Sequence, residues 1–170
     1  KKPDAVITHF VTYPHQKLIE KGPTGASLLL HNGRQVDLRV QKPESYGAML
    51  QYFTGSKNHN IKLRSFGLAQ GNSLNEYGIK NVKSGRTRSY STEEEFYQGL
   101  GLPWIPPELR EDKGEIEAAR EGKLPHLVEL RDIQGDLHIH TNYDLKSSHD
   151  VGSDPLDAYF DKAFQMGYEY

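Results

Sequence analysis

Two histidines one residue apart, His138 and His140, lie in the alternating stretch Asp136-Leu137-His138-Ile139-His140. On a β-strand, residues i and i+2 point to the same side, so both imidazoles can converge on one metal ion, with Asp136 on the same face. Taken alone, two histidines favour a structural or surface role, because a closed zinc site takes four ligands. A second candidate is Asp37, a lone carboxylate in Gln35-Val36-Asp37-Leu38-Arg39-Val40. A third lies just after Tyr52-Phe53-Thr54-Gly55-Ser56-Lys57. Gly55 lets a helix end abruptly and lets a ligand approach its backbone. Asn60 and Arg64 are four apart, share one face of the helix that follows, and can enter a duplex groove together. The fourth is a basic stretch. Residues 57–90 carry Lys57, Lys62, Arg64, Lys80, Lys83, Arg86 and Arg88 against Glu76 alone. Such a balance suits a polyanion, with a solvated basic face as the other reading.

These residues need elements to hold them. Asp4 and the apolar spacing of Val6, Ile7, Phe10 and Val11 predict a short N-terminal helix, although the β-branched residues also suit a strand. Three short strands follow within 16–40, the last two joined at Asn32-Gly33, where both positions tolerate positive φ. Val36, Leu38 and Val40 then face a core, and Asp37 and Arg39 face away. Pro43-Glu44 opens a helix through Tyr46, Ala48, Met49, Leu50 and Phe53, which Gly55 stops. Ser56 caps a second helix to about Gln70, buried through Ile61, Leu63, Leu68 and Ala69. A strand over 74–79 leads to a basic loop at Ser84-Gly85. Ser91-Thr92-Glu93-Glu94-Glu95 is a capped helix start with acids at the positive end of the dipole. Pro103, Pro106 and Pro107 deny regular structure to 102–107. An acidic helix spans about 114–121, 124–133 reads as linker, 136–140 as a strand, and Asp154-Pro155 starts a helix to Met166. His9, His15, His31, His59 and His126 show no ligand spacing and read as surface or semi-buried side chains.

The chain has 170 residues, 35% of them apolar, which predicts a thin core in one ordinary or two small domains. With no cysteine there are no disulfides, thiolate zinc sites or cysteine nucleophile. No apolar run approaches membrane-spanning length and no signal-peptide core follows Lys1-Lys2-Pro3-Asp4, so a cytoplasmic protein without membrane contact is expected. The missing initiator Met predicts a piece of something longer. The near-neutral net charge of -2 hides a basic middle and an acidic C-terminal half.

Tyr52-Phe53-Thr54-Gly55-Ser56-Lys57, with Asn60 and Arg64, resembles the palm–thumb junction of family X DNA polymerases. Leu74-Asn75-Glu76-Tyr77-Gly78 and the run from Leu100 to Arg110, through Pro103-Trp104-Ile105-Pro106-Pro107, resemble the thumb of the bacterial branch. Gly135-Asp136-Leu137-His138-Ile139-His140-Thr141 is similar to the opening of the PHP (polymerase and histidinol phosphatase) domain fused behind that thumb. The resemblance implies an α+β fold. A small antiparallel palm sheet with helices (1–51) precedes a mixed helix and strand thumb (52–111), a linker (112–134) and the βα start of a PHP domain (135–170).

What the resemblance implies is DNA-directed DNA polymerisation in gap-filling repair by a monomeric parent, with gapped or primer-template DNA and a deoxynucleoside triphosphate as partners. Asp37 takes the role of the third metal-binding palm aspartate. Tyr52, Phe53, Thr54, Gly55 and Asn60 line the incoming nucleotide, and Asn60 and Arg64 follow the minor groove, whose acceptors all base pairs share. Lys57, Lys62, Arg64, Lys83, Arg86 and Arg88 suit phosphate contacts. Polymerisation uses Mg²⁺, held by several carboxylates. The family's Gly-x-Asp-x-Asp strand is absent here, so the resemblance implies either a C-terminal slice without activity of its own, the reading favoured by the missing Met, or a homologue that has lost the activity. The PHP resemblance implies phosphoester hydrolysis with Mn²⁺ or Zn²⁺ on His138, His140 and either His149 or Asp150. A non-catalytic DNA-binding module is the alternative, and a stand-alone PHP phosphatase a further one.

Overall fold

The computed structural model describes residues 2–143 and 151–169. It divides into two compact units, Lys1–Leu124 and Pro125–Tyr170. The fold is α+β, with two three-stranded antiparallel sheets in the first unit.

That unit opens with helix α1 (Pro3–Phe10), of which Ile7 is buried. Strands β1 (Lys17–Gly22), β2 (Gly25–Leu29) and β3 (Gln35–Arg39) form the first sheet in that order. Pro23-Thr24 turns β1 into β2, since Gly22 pairs with Gly25. The second turn differs from the two-residue form expected. The Leu30 carbonyl accepts from Gly33 N–H at 2.9 Å, and Leu30 N–H donates to Arg34 at 2.8 Å. Of Asn32 and Gly33, only Gly33 has positive φ, +80°, as in a three-residue loop closed by a left-handed glycine. Ala26 and Leu28 of β2 are fully buried, whereas Val36 is exposed and Leu38 and Val40 are half-buried, so β3 contributes less to the core than its alternation suggests.

A 3₁₀ turn (Pro43–Ser45) leads into α2 (Tyr46–Phe53). Its buried face is Gly47, Ala48 and Gln51, while Tyr46, Leu50 and Phe53 are exposed. Of the apolar residues expected along this helix, Ala48 is fully buried and Met49 half-buried. A Cβ on Gly47 would lie 2.1 Å from the Thr92 carbonyl carbon, so α2 meets the Thr92 backbone closely through a residue without a side chain. Helix α3 (Lys57–Ala69) is capped by Ser56, whose Oγ accepts from His59 N–H at 3.1 Å. Its buried residues are His59, Leu63 and Gly67, spaced by four, whereas Ile61, Leu68 and Ala69 face out. The close packing of Gly67 against Leu74 selects that face.

The strand expected over 74–79 is a hairpin. β4 (Asn72–Asn75) pairs with β5 (Gly78–Asn81), and β6 (Thr87–Arg88) completes the second sheet. Asn75 Oδ1 accepts from Tyr77 N–H at 2.9 Å and Gly78 N–H at 3.2 Å, folding the chain back on itself. Helix α4 (Glu93–Gly99) starts at Thr92, whose hydroxyl accepts from Glu95 N–H. Phe96, Tyr97, Leu100, Leu102 and Ile105 then fill one core with Ala48, Leu63, Leu74 and Ile79. Helix α5 (Glu115–Arg120) adds Ile116 and Ala119 to it, so the first part of 112–134 is packed structure.

Gly55 joins α2 to α3 at φ +100°, where a Cβ would sit 2.8 Å from Arg110 Cβ. Gly55→Ala is expected to destabilise the first unit by about 1–3 kcal/mol, through backbone strain and that clash. Urea denaturation measures it; an unchanged midpoint would show that the junction relaxes without cost.

In the second unit, a 3₁₀ turn (Leu130–Asp132) is closed by a capping box of Glu129 and Asp132. Helix α6 (Leu156–Met166) ends at Gly167, φ +71°. Residues 136–140 run without ladder partners among the described residues and do not form the expected strand. Local bonds pin the neighbouring segment: Asn142 N–H donates to Asp154 and Gly152 N–H to Thr141, both at 2.9 Å.

Candidate functional site

The α2–α3 junction carries most of the residues singled out by sequence. Tyr52, Lys57, Asn60 and Arg64 line one cavity of about 190 Å³ with Gln51, Leu63 and Leu74. α2 ends as Tyr52 and Phe53 turn edge to face at 5.1 Å, and one helical turn of α3 brings Asn60 and Arg64 to the same wall. Phe53 faces the other side, into a cavity of about 290 Å³ that Tyr52, Arg39, Glu76 and Tyr77 share. Asn60 is not a free side chain: it donates to the Tyr52 and Thr54 carbonyls at 3.4 and 3.5 Å and accepts from Gln51 at 2.8 Å. The hydrogen bonds to Tyr52 and Thr54 tie α3 to the end of α2.

The cations divide into two groups. Lys57, Arg64, Lys83, Arg86 and Arg88 are exposed. Lys62 is engaged elsewhere, with Nζ 3.0 Å from Glu117 and 3.4 Å from Asp112. Both acids lie in the stretch read as linker, which is why sequence could not show the pairing. The 82–86 loop is built: Asn81 Oδ1 accepts from Ser84 N–H and the Asn81 carbonyl from Gly85 N–H, both at 2.9 Å. Arg88 lies over the Tyr90 ring at 5.3 Å.

Asp37 stands on the exposed face of β3, in register with Ser27. Gln35 Nε2 donates to its two carboxylate oxygens at 2.9 and 3.3 Å. Hydrogen bonds from Ser27 and Gln35, with the positive charge of Arg39, hold this carboxyl below its ordinary value despite slight desolvation. The group is a permanent anion at neutral pH and fits a divalent cation as one ligand. Two ions of a nucleotidyl-transfer site need more than one carboxylate, and among the described residues no three His, Asp or Glu side chains gather to hold a metal.

His138 and His140 do face the same side. Their Nε2 atoms lie 2.9 Å apart and the ring centroids 5.0 Å apart. Two imidazole nitrogens meeting edge to edge fit the flank of one cation. Asp136 accepts from His138 N–H at 3.1 Å. The Tyr159 hydroxyl donates to the His140 carbonyl at 2.8 Å, which fixes the backbone that carries the second ring. His149 and Asp150 lie outside the described residues.

Sequence reasoning missed His59 and Arg110. His59 is fully buried, with Nδ1 at 2.5 Å from Glu115 and Nε2 at 3.2 Å from the Tyr97 hydroxyl. Arg110 is also fully buried and bonds Glu93 at 2.6 Å and the Ile105 carbonyl at 2.9 Å. The i+3 spacing of Ser56 and His59 marks a cap but says nothing of a partner 56 residues away.

Residues 49–111 match the family described as DNA polymerase beta thumb. The chain is 38% identical over 144 residues to the DNA polymerase/3′-5′ exonuclease PolX of Bacillus subtilis (strain 168), across 83% of this chain and 25% of that protein. It therefore spans about a quarter of the length of the curated relative it matches. Crystal structures of Leishmania infantum polymerase beta are similar in fold. The ternary gap complex has TM-score 0.52 at 22% identity, covering 63% of this chain and 50% of that one. The ternary P/T complex has TM-score 0.52 at 23% identity, covering 64% and 53%.

Proposed function

We propose that this chain is a segment of a bacterial-type family X DNA polymerase, with the end of the palm at 1–51, the thumb at 52–111, a helix packed on the same core and then a linker within 112–134, and the start of a PHP domain at 135–170. The observation that carries the reading is that Tyr52, Lys57, Asn60 and Arg64 line one cavity inside the stretch that matches the thumb family. The parent is a cytoplasmic, monomeric, DNA-directed DNA polymerase of gap-filling repair. Gapped or primer-template DNA and a deoxynucleoside triphosphate are its partners.

Each residue acts by its chemistry. Tyr52, Phe53, Thr54 and Gly55 form the wall for the incoming nucleotide, where an aromatic pair and a glycine backbone crowd a sugar. Arg64 offers donors to the minor-groove edge, whose acceptors do not depend on sequence, and Asn60 joins it there by exchanging its long bonds to the Tyr52 and Thr54 carbonyls, 3.4 and 3.5 Å. Lys57, Lys83, Arg86 and Arg88 meet phosphates; the ion pairs of Lys62 leave it a smaller part. Asp37 would hold Mg²⁺, which neutralises charge at the reacting phosphate. His138 and His140, with His149 or Asp150, would hold Mn²⁺ or Zn²⁺ for phosphoester hydrolysis in the parent.

The 170-residue chain is expected to extend no primer, since one palm carboxylate cannot position two ions. It is expected to bind a duplex with a one-nucleotide gap more tightly than an intact duplex. Asn60→Ala with Arg64→Ala should weaken that binding by about tenfold or more, the loss of 1–3 kcal/mol that a good groove contact supplies. Fluorescence anisotropy on both duplexes measures it. Equal affinity of the double variant and the parent chain would remove the minor-groove role, and template-directed extension by the pure chain would overturn the assignment of Asp37 as an incomplete site.

A further inference from the structure

Helix α3 is held along one side by residues beyond 111, where the match to the thumb family ends. His59, Lys62 and Phe66 stand at i, i+3 and i+7, one row along the helix. Each meets a partner within 112–120. His59 Nδ1 lies 2.5 Å from Glu115 Oε1, and Lys62 Nζ lies 3.4 Å from Asp112 and 3.0 Å from Glu117. The Arg120 guanidinium lies 5.8 Å from the centre of the Phe66 ring. Lys57, Asn60 and Arg64 have the same spacing, shifted by two residues, which is about 200° around the axis. The 112–120 segment therefore backs the side of α3 opposite to the one that lines the cavity.

The contacts of this row are unequal. Lys62, Asp112 and Glu117 are partly exposed, and ion pairs in such surroundings add little. His59 is fully buried and Glu115 nearly so, where no water replaces a lost partner. Burial opposes ionisation of the Glu115 carboxyl, but bonds from His59 and from backbone N–H groups hold it below its ordinary value. Two of those groups are the amides of Asp112 and Lys113, at 3.1 and 2.8 Å. A carboxylate only accepts, so His59 turns an Nδ1–H toward it. His59 also closes the first turn of α3, its own N–H donating to Ser56 Oγ at 3.1 Å. Ser56 N–H donates in turn to the Arg110 carbonyl at 2.8 Å. The first turn of α3 is thus fastened to 110–115 through both its backbone and a buried side chain.

We infer that Glu115 is a positioning residue: through His59 it fixes the first turn of α3, and with it the flank of Lys57, Asn60 and Arg64 that meets DNA. The last step rests on the proposed groove reading of that flank. An acid beside a DNA contact would repel phosphate, whereas on the far side of α3 it holds the helix without facing the polyanion.

Hydrogen exchange followed by nuclear magnetic resonance on the ¹⁵N-labelled 170-residue chain, without DNA, tests the fastening. In Glu115→Gln the carboxamide sets an N–H against a backbone N–H. The amides of Ser56 and His59 should then exchange about tenfold faster or more, the loss of a bond to a charged group. The Gly47 amide, which donates to the Tyr90 carbonyl in the same unit, should change far less. Equal acceleration of all three would reduce Glu115 to general stability and overturn the inference. The parent chain decides even if the variant does not fold. Its Ser56, His59, Asp112 and Lys113 amides should open together, with one dependence on denaturant; a first turn that opens independently of 112–113 would overturn the inference.

Fluorescence anisotropy with the one-nucleotide-gapped duplex then reads the flank. At a temperature where both variants are folded, Glu115→Gln should weaken binding by about threefold or more, the size usual for a side chain that acts through others. Ile116→Val, which trims the core on the same helix, should leave it unchanged. If Asn60→Ala with Arg64→Ala weakens binding but folded Glu115→Gln does not, the positioning role is overturned. If the double variant binds as well as the parent chain, the groove reading falls, and the exchange rates alone decide whether Glu115 fastens α3.

Discussion

Replacing Arg110 by alanine is expected to destabilise the first unit by about 3–5 kcal/mol, the penalty for breaking a buried ion pair. The guanidinium is fully buried, and Glu93, its partner at 2.6 Å, is 7% exposed. Removing the cation leaves that carboxylate desolvated. Two further contacts go with it: the bond to Ile105 and the packing over the Tyr97 ring at 5.2 Å. Trp104 Nε1, which donates to Glu93 at 3.2 Å, does not compensate a full charge. Because Ser56 N–H donates to the Arg110 carbonyl at 2.8 Å, the loss should loosen the start of α3 as well. Urea denaturation checks the size. Arg110→Met combined with Glu93→Leu should recover much of the loss, since apolar replacements of both partners leave no charge behind. A single variant as stable as the parent chain would show that water reaches this pair.

The other large effect is electrostatic. Log affinity for DNA is expected to fall linearly with log salt, with a slope of about -0.9 for each phosphate contacted. Replacing Lys83, Arg86 and Arg88 together with alanine should flatten that slope by up to about 2.7. All three are exposed on or beside a turn that Asn81 holds in shape, so their removal should leave folding intact. Lys62→Ala should flatten it less, because Glu117 and Asp112 already neutralise that ammonium. A slope unchanged in the triple variant would place the phosphate contacts elsewhere.

Much of this was legible in the sequence where the controlling forces are local. The Ser56 and Thr92 caps, the positive φ of Gly33 and the helical i, i+4 relation of Asn60 and Arg64 follow from backbone chemistry within a few residues. The failures share a different cause. α2 buries Gly47 and Gln51 and exposes Leu50 and Phe53 because Thr92 packs against its glycine, a contact no periodicity contains. The run from Leu74 to Ile79 alternates well enough for one strand, yet the Asn75 side chain folds it into two. His59 shows nothing at the level of spacing, since its partners are Tyr97 and Glu115. In the candidate site, the residues that face the cavity were legible as types in a pattern, and the buried cluster of His59, Tyr97 and Glu115 was not.

Chemical-shift mapping of the 170-residue chain with a one-nucleotide-gapped duplex addresses the central claim most directly. The account predicts that titration moves the amides of Tyr52, Lys57, Asn60 and Arg64, with those of Lys83, Arg86 and Arg88, in one saturable process weakened by salt. Shifts confined to other surfaces, such as β1 or α6, or no shifts at low salt, would contradict it.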